Sequence, residues 1–237
     1  MMLPATLSRI RNLRVQNHPY NRSGQLFREG AFIVPHTPEE IEKLKHAPAV
    51  PGVEDIFLRR WSPRAFADKD VSSEDLKKIF EAARWAPSSY NEQPWRFFLG
   101  RRGDATYQKI FDSLVEFNQG WVKGAPVLIL SVASKKFSQN GNPNYHALHD
   151  TGAATVSFAL EATALGLHAH SMAGFDHGKA RRAFDVPADY DMGAVTVLGY
   201  FGDPHKLHDQ LRSNEEAPRE RRALGEFVLT EWDKPAL

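Results

Sequence analysis

The run "APVLILSVA", which begins at Ala125, is the feature that most constrains the fold of this chain. It is apolar almost without interruption and lacks polar alternation, which is typical of a strand buried on both faces. Such a strand must lie inside a sheet that other elements cover. The rest of the chain therefore has to supply neighbouring strands and the helices that pack on them.

Helical and strand patterns alternate around this run. The predicted helices are one that Ser72 caps and that ends before Pro87, one over 104–117, one over 145–166 that Gly166 closes, and one from about Asp176 to Phe184. The predicted strands besides the apolar run are "WRFFLG", "LHAHSMA" and "AVTVLGYFG". Helices that alternate with buried strands predict an α/β or α+β sandwich in which helices cover a central sheet.

The amino-terminal part of the chain reads differently. Residues 1–28 hold five arginines and no acidic residue, which fits a transit peptide, an upstream extension or an arm over a partner subunit equally well. Thr37 and Glu40 predict a capping box, and the following stretch rich in proline and glycine reads as a linker. We therefore predict an extension and linker over 1–52, and one domain with a long carboxyl-terminal tail over 53–237.

Composition excludes several classes of function. The chain has no cysteine, so it can form neither disulfides nor Cys-ligated metal sites, and a reducing, cytoplasmic setting fits. The net charge of +1 gives no global attraction to nucleic acid or to an anionic membrane. The stretch 151–167 is poor in charge, yet it contains Glu161 and is short for a membrane span. We expect neither a nucleic-acid partner nor a membrane partner.

Two arginine clusters are candidates for binding an anion. "RRWSPRAF" places Arg60, Ser62 and Arg64 within five residues, and "APRERRAL" contributes Arg219 and Arg221 far along the chain. Arginine suits bidentate contact with phosphate or carboxylate, and a nearby hydroxyl completes such a site. A solvated surface explains three neighbouring arginines as well, and sequence spacing alone does not bring the two clusters together.

Two turns are candidates for contacting a ligand. In "RWAPSSYNEQPWRF", Pro87 and Pro94 bracket hydrogen-bonding side chains that include Ser88 and Ser89, as a rigid ligand-binding loop or an ordinary helix-to-strand turn would. In "MAGFD", Gly174 allows close backbone approach just before a helix whose first N–H groups lack internal partners. A plain strand-to-helix turn is the alternative there.

Other site classes find little support. His146 and His149 lie at helical spacing, and His168 and His170 share one strand face, but no HExxH motif accompanies them, so we predict structural histidines and no metal site. A G-x-S-x-G elbow, a phosphate loop and a G-x-G-x-x-G fingerprint are also absent from the sequence. The sequence therefore favours neither a serine hydrolase nor a Rossmann NAD site.

Taken in order, five motifs over about Asp55 to Trp232 resemble the FMN-dependent nitroreductase family. They are "RRWSPRAF", "APSSYNEQPWRF", "NQGWVKGAPVLIL", "GLHAHSMAGFD" and "PRERRALGEFV". The resemblance implies an α+β fold with a central mixed or antiparallel sheet covered by helices. It also implies an intertwined homodimer with two FMN molecules at the interface.

The resemblance assigns a role to each motif. It places Arg60, Ser62, Arg219 and Arg221 at the FMN phosphate and ribityl chain, Arg64 and Asn118 at the pyrimidine ring, Ala173 and Gly174 at flavin N5, Pro87, Ser88 and Ser89 against the flavin of the other subunit, and Tyr90 at the substrate face. Many members carry a lysine three residues after the asparagine, where this chain has Trp121. Arg64 would then carry more of the stabilisation of the anionic reduced flavin, and the redox potential would differ from that of such members.

The implied activity needs no catalytic side chain, because the flavin carries the hydride from NADH or NADPH to a small flat aromatic acceptor such as a nitroaromatic or a quinone. Two alternatives stay open. One is a non-catalytic FMN-binding or storage protein. The other is a family relative with different flavin chemistry, such as a dehalogenase or an azoline oxidase.

Overall fold

A computed structural model describes residues 37–237. The expectations for residues 1–28 lie outside the described residues. The helices are α1 (Pro38–Lys45), α2 (Asp55–Arg59), α3 (Ser73–Arg84), α4 (Ala105–Ser113), α5 (Glu116–Val122), α6 (Ala147–Ala164), α7 (His177–Ala183) and α8 (Asp209–Glu216). The strands are β1 (Trp95–Arg101), β2 (Val127–Ser134), β3 (His168–Met172), β4 (Tyr190–Gly199), β5 (Leu229–Glu231) and β6 (Lys234–Pro235).

Strands β1 to β4 form one antiparallel sheet in the order β1-β2-β4-β3. The α+β fold predicted from the sequence is confirmed, with an antiparallel rather than a mixed sheet. The small hairpin of β5 and β6 lies in the carboxyl-terminal tail.

The apolar run is an interior strand, as predicted, and its side chains alternate between two cores. Leu128 and Leu130 point to the core that α4, α5 and α7 cover, and Ile129 points to the opposite core. Helix α6 fills that second core, where Phe158 is fully buried against the sheet. Because both faces of β2 are covered, polar residues would carry a desolvation cost on either side.

The helix predicted over 104–117 is wrong in one respect, because it is two helices. The backbone of Leu114 is extended between α4 and α5, and the Val115 N–H donates to the Gly174 carbonyl at 3.1 Å. A contact with a turn distant in sequence thus replaces the helical hydrogen bond. Local periodicity carries no information on such a partner.

Helix α1 begins with the predicted capping box of Thr37 and Glu40 and packs against the domain, with Ile41 fully buried. Part of the predicted extension is therefore in contact with the domain that we placed after it. In the described part of the chain, no helix combines the length and the apolar character needed to cross a membrane.

Candidate functional site

The segment from Arg60 to Phe66, which we call the arginine strap, follows α2, starts with an extended backbone at Arg60 and bends at Arg64. Its side chains alternate with period two. Trp61, Pro63 and Ala65 are buried, whereas Arg60, Ser62 and Arg64 are partly exposed. An extended chain projects alternate residues to opposite sides, so the three polar residues share one face. The apolar residues between the arginines thereby fix the direction in which the arginines point.

The two arginine clusters meet at this strap. The Arg219 guanidinium donates from Nη1 to the Arg60 carbonyl at 2.6 Å and from Nη2 to the Leu58 carbonyl. Arg60 in turn donates from Nη1 to the Ser62 hydroxyl at 3.1 Å. Folding therefore brings together residues that are about 160 positions apart along the chain.

Like charges accumulate at this meeting point. Burial and the neighbouring Arg221 lower the pKa of Arg60, and burial, Arg221 and Arg60 lower the pKa of Arg219. Within residues 37–237, none of these three arginines forms an ion pair with a carboxylate. In addition, the buried Arg219 Nε has no hydrogen-bond partner among these residues. Partly buried cations close to one another and without counter-charge are costly, and a bound anion would relieve that cost.

A second group of side chains extends from the strap to the "MAGFD" turn. His170 on β3 donates from Nδ1 to the Pro63 carbonyl at 2.8 Å, and its ring lies 4.8 Å from the Trp121 ring. Burial lowers the pKa of His170 to about 4, so its ring is neutral at pH 7. The histidine thus joins the strap to α5 without adding charge.

Trp121 fixes the neighbouring amide. Its indole N–H donates to Asn118 Oδ1 at 3.1 Å, and Asn118 Nδ2 donates to the Gly174 carbonyl at 2.9 Å. Trp121 and Asn118 are both 7% exposed. Trp121 is therefore a core residue that orients Asn118, rather than an exposed replacement for a lysine.

The turn at Ala173 and Gly174 has no space for a larger residue at its second position. A Cβ added to Gly174 would lie 2.5 Å from Asn118 Nδ2. The glycine allows the amide to approach the turn closely. The Gly174 N–H has no protein acceptor among residues 37–237, which leaves it available to a ligand.

Three residues of the loop from Pro87 to Pro94 have a left-handed backbone. Tyr90, Asn91 and Gln93 have φ values of 52°, 57° and 51°. The Ser89 N–H donates to Asp150 on α6 at 2.9 Å, and the Gln93 N–H donates to the Ser88 hydroxyl at 3.0 Å. The first bond attaches the loop to α6 and the second closes the loop on itself, while Tyr90 is 82% exposed.

The loop and the "MAGFD" turn lie far apart in one chain. The loop enters β1 and the turn leaves β3, and these strands form opposite edges of the sheet. Three strand spacings separate them by about 14 Å, and the register offset adds about 13 Å along the strands. One chain therefore brings the strap, Asn118, Gly174 and Arg219 together, and holds Pro87, Ser88 and Ser89 elsewhere.

A cavity of about 670 Å³ opens beside the strap. Phe66, Phe117 and Trp121 supply aromatic walls, and Arg64 and Lys206 supply positive charge. The volume is within the range of small-molecule sites.

Sequence reasoning missed Glu215 and Lys45, and it considered Asp150 only as a metal ligand beside His146 and His149, whereas Asp150 accepts the Ser89 N–H. Glu215 is 1% exposed, and both of its carboxylate oxygens accept the Arg64 N–H, each at 3.2 Å from the nitrogen. The histidines considered as metal ligands have other roles, since His168 contacts Glu42 at 2.9 Å. Among the residues described, no group of three histidine or acidic side chains could hold a metal ion.

Comparison with known sequences finds a matching family and related proteins. The family model described as "Nitroreductase family" matches residues 58–119 and 101–200. A protein of Archaeoglobus fulgidus named "Putative NADH dehydrogenase/NAD(P)H nitroreductase" is 30% identical over 158 residues, which cover 65% of this chain and 87% of that protein.

Solved structures agree as well. A crystal structure described as an oxidoreductase containing FMN is 32% identical, with a TM-score of 0.73, and the match covers 78% of this chain and 95% of that one. A nitroreductase from Desulfovibrio desulfuricans in complex with FMN is 27% identical, with a TM-score of 0.59 over 77% of this chain and 98% of that one.

Proposed function

This chain belongs to the nitroreductase family, and from that premise we propose that it is an FMN-dependent oxidoreductase that transfers hydride from NADH or NADPH to a flat acceptor such as a nitroaromatic or a quinone. The observation that carries the proposal is the cluster of Arg60, Arg219 and Arg221, which has no carboxylate partner in the described chain. A phosphate monoester would balance that charge.

The phosphate would be held mainly by Arg60 and Arg221. The Ser62 hydroxyl accepts from Arg60, so its own O–H is free to donate to a phosphate or ribityl oxygen. Arg219 uses both terminal nitrogens on backbone carbonyls, so it would act on the anion mainly through its positive charge. The donor set therefore fits a phosphate monoester.

The ring system would lie along the same face of the strap, toward Gly174. Arg64, whose side chain is 28% exposed, would put positive charge at the pyrimidine edge. Asn118 keeps one N–H and one lone pair beyond its two internal bonds, and these could bind the same edge. The backbone N–H groups at Ala173 and Gly174 would donate to N5.

When bound, FMN supplies the hydride chemistry, and the protein supplies binding, orientation and charge. No acid, base or nucleophile of this chain is required. The aromatic cavity beside Arg64 would admit a flat acceptor, with the nicotinamide and the acceptor occupying it in turn.

A second copy of the chain would complete the site. Pro87, Ser88, Ser89 and Tyr90 lie at the far edge of the sheet from Gly174, so a homodimer in which each loop faces the partner's FMN would unite the two groups. Helix α6 beside the loop exposes 48% of Leu148 and 54% of Val156, an apolar surface that a subunit interface would cover. We expect this dimer in the cytoplasm.

The test is to purify the protein, identify any released cofactor, and add NADH or NADPH anaerobically while following the flavin absorbance near 450 nm. Bound FMN that either nucleotide bleaches is the expected result. A protein that is colourless and does not bind added FMN would refute the proposal. FMN that neither nucleotide bleaches would favour the storage protein, and bleached flavin that no quinone or nitroaromatic reoxidises would favour a relative with different chemistry.

A further inference from the structure

The carboxyl-terminal end of α8 is held by a lysine from α1. Lys45 is 6% exposed, and its ammonium donates to the Asn214 carbonyl at 2.7 Å and to the Ala217 carbonyl at 2.6 Å. The last carbonyls of a helix have no internal partners, so a cation at that end satisfies them and also interacts favourably with the helix dipole. The same ammonium lies 5.2 Å from the centre of the Trp61 ring.

The segment that Lys45 holds leads directly to the arginine strap. Two residues after Ala217, Arg219 donates to the carbonyls of Leu58 and Arg60. One helical turn before Arg219, Glu215 at the end of α8 accepts the Arg64 N–H. The strap is therefore bonded at Arg60 and at Arg64 to the segment whose carbonyls Lys45 contacts.

Glu215 is the carboxylate that faces the cations of this region. Burial lowers the pKa of Lys45, the charge of Glu215 opposes that effect, and the charges of Arg219 and Arg64 add to it. Burial raises the pKa of Glu215, and its bond to the Arg64 backbone and the charges of Lys45 and Arg64 oppose that effect. Removing the lysine would leave two unsatisfied carbonyls and weaken the support for an ionised Glu215.

We infer that Lys45 is a positioning residue for the phosphate site, and that α1 acts as a brace which holds Arg219 and Arg60 in place through the end of α8. The inference rests on the proposed function, because it concerns the affinity for FMN. It gives α1, none of whose residues is assigned to the cofactor, a role in retaining it.

The experiment compares FMN with riboflavin, which lacks the phosphate. Full-length protein freed of flavin is titrated with each compound, and the readout is the ratio of the riboflavin Kd to the FMN Kd. In Lys45→Met, which keeps the apolar stem but loses the charge and the donors, we expect this ratio to fall about tenfold or more. General destabilisation would weaken both compounds alike and leave the ratio unchanged.

Lys43→Met is the matched control, because it makes the same substitution at an exposed position of the same helix. Lys45→Arg, which keeps a cation and several donors, should restore most of the ratio. Lys45→Gln replaces the methionine variant if that protein does not fold.

The inference is overturned if the Kd ratio of Lys45→Met, or of the glutamine variant that replaces it, stays within threefold of the wild-type ratio. A larger fall of the ratio that Lys43→Met does not show supports the inference. Wild-type protein that binds no FMN refutes the proposed function itself, which separates the two failures.

Discussion

The neutral, partly buried His170 between the arginine strap and Trp121 predicts a specific loss of stability in acid. Its pKa is lowered to about 4, mainly by burial, from an ordinary value of 6.5. Between these two pH values the His170 ring is protonated in the unfolded chain and neutral in the folded chain. Stability is therefore full above about pH 6.5 and falls as the pH drops toward 4.

The magnitude follows from the two pKa values. A difference of about 2.5 units, at about 1.36 kcal/mol per unit, limits the contribution to about 3.4 kcal/mol, of which about 3 kcal/mol is lost between pH 7 and pH 4. Protonation of carboxylates whose pKa values are lowered, such as Asp176 and Asp203, also lowers the stability of the protein in acid. Comparing the wild type with a variant that lacks His170 removes their contribution, because both proteins share it.

The variant is His170→Asn, whose amide nitrogen can still donate to the Pro63 carbonyl. Urea unfolding is followed by circular dichroism from pH 4 to pH 7, and the free energy of unfolding is plotted for both proteins. Loss of the ring that contacts Trp121 lowers the variant's curve at every pH. The wild-type curve should fall about 3 kcal/mol further than the variant's curve over this range.

His208→Gln is the control, since His208 is exposed and its substitution should leave the wild-type slope intact. Parallel curves for the wild type and His170→Asn would refute the reasoning. They would mean that the folded protein accepts the proton on His170 as easily as the unfolded chain does.

Three further predictions concern the cofactor site. Arg60→Gln should weaken FMN binding about tenfold to a hundredfold, since a charge-assisted hydrogen bond contributes about 1.5 to 3 kcal/mol. The control Arg59→Gln, at an exposed neighbouring position, should change the Kd little. Equal effects of the two variants in a fluorescence titration would contradict the phosphate role. Gly174→Ala should destabilise the fold by about 1 to 3 kcal/mol in urea unfolding, because its Cβ would meet Asn118 at 2.5 Å, whereas Gly120→Ala on α5 has open space and should be neutral or stabilising. Leu148→Glu on the exposed face of α6 should yield a monomer in sedimentation that loses FMN with every arginine intact, and a monomer that retains FMN would refute the shared site.

The sequence predicted the elements whose patterns are local. The apolar run at β2, the Ser72 cap of α3 and Gly166 after α6 were all confirmed, since each signal lies within a few residues of its effect. The break between α4 and α5 could not be predicted in this way. Its cause is the Gly174 carbonyl, about 60 residues away, which accepts the Val115 N–H.

The residues of the candidate site likewise divide into those that the sequence predicted and those that it did not. The arginines and the bracketed loop stood out because their side chains are unusual for a plain turn. Lys45 and Glu215 did not, because a lysine and a glutamate on short amphipathic helices are normally exposed to solvent. Only the packing of α1 against α8 turns them into buried supports.

The alternating burial of the arginine strap has a consequence for how this segment can change in evolution. Trp61, Pro63 and Ala65 face inward at every second position, so inserting or deleting one residue between Arg60 and Arg64 would exchange the two faces. A guanidinium would then enter the core, and an indole would face the solvent. Single substitutions on the outer face can adjust the affinity for an anion in small steps, but the length of the segment is fixed.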